Sequence, residues 1–103
     1  MSRANGLRGE ARLMLSDQAL VLRPSFTALV AAEEELGPLF QLVDRAASGD
    51  LSLTQIVALF WHCMTPPRPE WTREALGDAV LEAGLAQAMP VLRQIFGQIL
   101  QGR

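Results

Sequence analysis

Lysine is absent from the 103 residues, and the nine cationic side chains are all arginines, scattered from Arg3 to Arg103. Eleven acidic residues leave a formal net charge of −2. The chain thus lacks the clustered positive charge that binding a polyanion needs, and nucleic-acid binding is disfavoured. Cysteine occurs once, at Cys63, which excludes an intramolecular disulfide and any multi-cysteine metal site, so a reducing cytoplasm is the expected compartment. No apolar run approaches the roughly 18 uninterrupted residues of a membrane span, and the first ten residues carry no apolar signal-peptide segment, so a soluble, untargeted chain is expected. Also missing are a Gly-rich phosphate loop, HExxH, CxxC and GxSxG, which lowers the weight of an enzymatic reading, and no cofactor is expected. No repeat of fixed period and no low-complexity segment occurs.

What is present reads as one folded domain. Half of the residues are apolar and 19% are charged, well away from the composition of disordered chains. A loose amino-terminal arm is expected over residues 1–8 and a single domain over 9–101. The stretch Glu10 to Phe26 alone reads as β-structure. Leu13 and Leu15 alternate with Arg12 and Met14, a polar break follows at Ser16, Asp17 and Gln18, and a second apolar run spans Leu20 to Leu22. This is the pattern of a hairpin. A two-stranded ribbon is marginal alone, so its Leu13, Leu15 or Leu20, Leu22 side is expected to dock on a core helix, around Ile56 and Phe60.

Helices are predicted for the remainder. Pro24 ends the second strand, and Ser25 is placed to cap a first helix from Phe26 whose stripe is Phe26, Leu29, Val30, Glu33 and Leu36. Gly37-Pro38 breaks it. A second helix runs from about Leu39 to Ala47, with Leu39, Phe40 and Val43 on its stripe and Gly49 as its stop. Ser52-Leu-Thr-Gln55 has the form of a capping box. The third helix follows it, with Leu53, Ile56, Val57, Phe60, Trp61 and Met64 making the densest apolar face. Thr65 to Pro69 reads as a stiff, extended linker. Thr72 caps a fourth helix with Leu76, Ala79, Val80 and Ala83 inward, and Glu74 complements its dipole. Gly84 interrupts or ends it. The stripe resumes through Met89, Leu92, Ile95, Phe96, Ile99 and Leu100, with Pro90 accommodated if a new helix starts near Gln87 or if the helix kinks. The fold class is therefore α+β: an amino-terminal two-stranded antiparallel hairpin packed on four to five α-helices, the third at the centre.

Candidate chemistry is sparse. His62 and Cys63 are adjacent, but neighbours on a helix point about 100° apart, so a buried Cys63 with His62 toward solvent is expected rather than a catalytic pair. Glu33, Glu34 and Glu35 spread around their helix, either as a solvated face or as a contact for a basic partner. Trp71 precedes a cap, where it can staple onto Ala75 or Leu76 or serve as a partner anchor. Pro66-Pro-Arg-Pro69 is read as a spacer.

Gly9-Glu-Ala-x-Leu, a turn, Leu20-Val-Leu-Arg-Pro-Ser-Phe26, then Leu29, Glu33 and Gly37 resemble the gene transfer agent and siphophage family of small tail proteins, labelled tail tube proteins or tail assembly chaperones. Asp50-Leu51, Phe60-Trp61, a Pro-containing loop, Glu74, Gly84 and Leu85 extend the resemblance over nearly the whole chain. Asp17-Gln18 departs from the Asp-Gly turn of the family, which leaves the hairpin register open. The resemblance implies a non-enzymatic chaperone that coats the tape-measure protein, keeps it soluble and hands it over as tail-tube subunits polymerise. Its implied partners are the tape-measure and tail-tube proteins, with homo-oligomers a further possibility, in the cytoplasm of a bacterial host. A subunit retained in the tail is the alternative, and a helical DNA-binding regulator is disfavoured by the acidic balance. The expected contact residues are Met14 and Val21 on the hairpin's outer face, Glu33 and Glu34 on the first helix, and Trp71.

Overall fold

The computed structural model describes residues 10–15, 18–64 and 71–102. The expected arm, the tip of the hairpin and the proline linker lie outside the described residues. Strands β1 (Ala11–Leu15) and β2 (Gln18–Leu22) are followed by α1 (Phe26–Leu36), α2 (Leu39–Ala47), α3 (Leu53–Cys63), α4 (Arg73–Ala83) and α5 (Leu85–Gln101). The fold is α+β, as the alternation and the helical spacing predict.

The two strands pair antiparallel, with Leu13 opposite Leu20, Met14 opposite Ala19 and Leu15 opposite Gln18. Gln18 is therefore the first residue of β2 and not part of the break. Because strand side chains alternate, Ala11, Leu13 and Leu15 are buried while Met14 is exposed. β1 sits chiefly on α5 and then on α4, not on α3 as expected. The reason is that α3 is enclosed by other helices: α1 and α4 pack on it, and Ala58, Leu59 and Cys63 are buried besides the predicted Ile56, Val57 and Phe60. The hairpin touches α3 at its end. Met64 leaves the helix in extended conformation and bridges Leu22, and the Arg23 N–H donates to the Cys63 carbonyl at 2.8 Å. This bridge accounts for the burial of Met64, which is not a helical core residue.

The caps form as the sequence dictates. Ser25 Oγ accepts from Ala28 N–H at 3.2 Å, and Thr72 Oγ1 accepts from Ala75 N–H at 3.0 Å. Ser52 and Gln55 close a capping box through contacts of 3.2 and 3.0 Å. α4 and α5 meet at 115°. Gly84 makes that corner at φ 93°, a left-handed conformation that a side chain disfavours. α5 begins directly after it at Leu85, two residues before Gln87, so Pro90 lies within the helix.

Three predicted stripes are shifted. On α1 the inward residues are Ala32, with Leu29 and Leu36 half-buried, while Phe26 is 83% and Val30 36% exposed. On α2 the buried residue is Leu42, and Phe40 is 74% exposed. On α5, Ala88 and Val91 are buried, whereas Met89 and Leu100 face outward.

Candidate interaction surface

The expected contact residues occupy separate parts of the fold. Met14 and Val21 share the outer face of the hairpin, Met14 exposed and Val21 half-buried. The hairpin's packing partners are α5 and α4, whereas α1, which carries Glu33 and Glu34, packs on α3 and α2. These residues therefore do not form one compact site. Trp71 stands immediately before the Thr72 cap and packs, half-buried, against the core cluster that includes Leu76. That is the staple position.

The three glutamates have three different roles. They lie in the last turns of α1, where the negative end of the helix dipole disfavours carboxylates without partners. Glu33 Oε2 accepts from the Leu39 N–H at 3.0 Å, so it caps α2, whose N-cap residue, Pro38, offers no side-chain hydrogen bond. Glu34 is exposed. Glu35 joins three helices: its Oε1 lies 2.8 Å from His62 Nε2 on α3 and its Oε2 lies 2.5 Å from Arg73 Nη1 on α4. The Arg73 guanidinium also stands 5.9 Å from the centroid of the Trp61 ring, within cation–π range. The hydrogen bond from Arg73, then that from His62, holds the Glu35 carboxyl below its ordinary pKa.

This arrangement corrects the expectation that His62 faces solvent, because the imidazole is held half-buried against Glu35. Cys63 points into the core, and burial pushes its thiol up to about 12. A thiolate nucleophile needs the opposite environment, electropositive and accessible. Among the described residues no group of three metal-ligating side chains converges, and no single helix is long and apolar enough to cross a membrane.

Among the described residues, two shallow grooves lie between helix pairs. One, of about 430 Å³, separates α2 from α5 and is lined by Val43, Ala47, Phe96 and Gly97 with Met89 and Leu100. The other, of about 280 Å³, runs between α3 and α4 over Leu53, Val57, Gly77 and Leu81. A glycine inside a helix costs about 1 kcal/mol relative to alanine, yet each groove contains one. Packing does not require either: a Cβ at Gly97 would meet nothing within 4 Å, and one at Gly77 would meet Val57 at an ordinary 3.8 Å. Helical periodicity does not single out these glycines, because at four-residue spacing Gly77 stands between Arg73 and Leu81 and Gly97 between Arg93 and Gln101.

Exposed apolar side chains, open grooves and a buried, protonated thiol stand together in a domain of the α+β class. The family described as phage tail tube protein, GTA-gp10, matches residues 8–102, and the chain belongs to that family. Its role accordingly lies in phage-tail or gene-transfer-agent assembly. No curated protein and no solved structure matches the chain.

Proposed function

We propose that this protein is a non-enzymatic tail-assembly chaperone that binds the tape-measure protein and assists polymerisation of the tail tube around it. The observation that carries this reading is the set of large apolar side chains left open on four helices: Phe26 is 83%, Phe40 74%, Leu81 53% and Leu100 51% exposed. Leu81 and Leu100 line the two grooves, and large apolar side chains along a groove suit contacts with a partner protein. A long helical partner offers repeated apolar stripes of the matching kind. Met14, Val21, Glu34 and Trp71 remain proposed contacts, with Glu33 contributing through the cap it makes. The work takes place in the cytoplasm of the bacterial host during assembly, with the tail-tube protein as a further partner and sister subunits alongside.

Co-expression with the tape-measure protein tests the proposal: the tape measure should become soluble and co-purify, and the chaperone should be absent from finished particles. The family's description as a tail tube protein supports a second reading, a subunit retained in the tail. Stoichiometric recovery from purified particles would select it.

A further inference from the structure

Of these grooves, that between α3 and α4 has a border on which acidic side chains outnumber the single arginine. Glu74 and Asp78 line it, and Glu82 continues the same row at four-residue spacing one turn further on. None of the three pairs with a cation among the described residues. The one cation at the groove, Arg73, is already held by Glu35 and lies against Trp61. The floor is Leu53, Val57 and Leu81, opened by Gly77. Trp61 meets Arg73, and Val57 lies nearest Gly77, so the two helices run antiparallel. On α4 its lining runs from Arg73 to Leu81, which gives a trough of about 12 Å, a little over two helical turns. At about 280 Å³ it falls just below the roughly 300–1,000 Å³ typical of small-molecule pockets. An open trough of this size suits side chains from a packed element better than a cofactor.

We infer that the α3–α4 groove is the docking site for a basic amphipathic helix of the partner protein, whose apolar stripe covers Leu53, Val57, Gly77 and Leu81 while its Arg or Lys residues meet Glu74, Asp78 and Glu82. The inference rests on the chaperone reading for the source of that helix. Helix-in-groove recognition uses apolar anchors at three-four spacing with charges at the rim, and rim charges set specificity and association rate. The glycine then has a function: it trades helix stability for depth in the trough.

The test uses the full chain with two probes, the intact tape-measure protein and a synthetic three-to-four-turn Leu/Lys amphipathic peptide, with a Leu/Glu peptide of the same pattern as control. The Leu/Lys peptide should bind and the Leu/Glu peptide should not. Paired reversal, Glu74→Arg with Asp78→Arg, should weaken binding of the Leu/Lys peptide and the tape measure about tenfold at low salt, and the difference should shrink as salt screens the rim. Gly77→Ala should raise Tm by about 4 °C or more while weakening binding, opposite signs that a merely structural residue would not give. Gly77→Leu should weaken it further. Unchanged tape-measure binding by all these variants overturns the groove assignment and leaves the chaperone reading standing. Groove-dependent peptide binding with no tape-measure binding by the wild type overturns the chaperone reading and leaves the groove. Equal binding of the Leu/Lys and Leu/Glu peptides overturns the basic occupant.

Discussion

Glu35 and His62 lie 27 residues apart in sequence and meet at 2.8 Å, Oε1 against Nε2, fastening the end of α1 to the end of α3. The same carboxylate holds Arg73 at the start of α4. The ends of three helices are thereby tied through one carboxylate. The tie is partly solvent-exposed, Glu35 at 36%, so its contribution is that of a surface network and not of a buried pair.

Glu35→Gln is expected to lower stability at pH 7 by about 0.5–1 kcal/mol, the range for exposed pairs sharing one carboxylate. The folded-state pKa of Glu35 lies below its ordinary value of 4.5, so its contribution is present above that value and lost as pH falls through the folded one. Urea melts of wild type and variant should differ at pH 7 and converge in acid, once the folded carboxylate is protonated.

Cys63 gives the opposite dependence at alkaline pH. Its thiol is raised from 9.0 to about 12 in the folded protein, so its contribution is complete below 9 and declines above it, as the unfolded chain ionises first. Relative to Cys63→Ala, the wild type should lose about 1.4 kcal/mol between pH 8 and pH 10. A thiol reagent should label Cys63 rapidly only after denaturation, and fast labelling of the native protein would contradict the burial.

Glu33 and Glu34 are separable by mutation. Glu33→Gln weakens the charge-assisted cap on Leu39 N–H and Glu33→Lys removes it, with an expected loss of about 0.5–2 kcal/mol for the latter, whereas Glu34→Lys should stay within about 0.5 kcal/mol of wild type. Thermal melts distinguish them. A loss of partner binding in Glu34→Lys at unchanged Tm assigns that carboxylate to the interface.

The two faces of the hairpin should respond very differently. Leu13 is fully buried and Met14 is 43% exposed. Leu13→Ala should cost about 2–5 kcal/mol, while Met14→Ser should cost under about 0.5 kcal/mol. Chemical denaturation measures both, and any binding defect in Met14→Ser then reports contact rather than folding.

Local signals in the sequence carried most of the fold. Ser25, the Ser52–Gln55 box and Thr72 cap where they stand because their hydrogen bonds reach only three residues, and Gly37, Gly49 and Gly84 end helices for equally local reasons. What periodicity could not decide was which of two apolar stripes faces inward when half of the residues are apolar. Phe26 and Val30 compete with Leu29, Ala32 and Leu36 on α1, and Phe40 competes with Leu42 on α2. Only tertiary contacts choose, and they left Phe26 and Phe40 outside. The hairpin's seat on α5 and the joining of Glu35 to His62 and Arg73 are likewise long-range. The outer hairpin face was legible in advance, because the strict alternation of a strand leaves Met14 no other direction once Leu13 and Leu15 turn inward.

The most direct test of the central claim is the soluble yield of the tape-measure protein with and without this chain, followed by a pull-down on the tagged chain. The chaperone reading predicts that co-expression raises the soluble fraction and that the tape measure co-purifies. Equal soluble yield with no tape measure retained would contradict it.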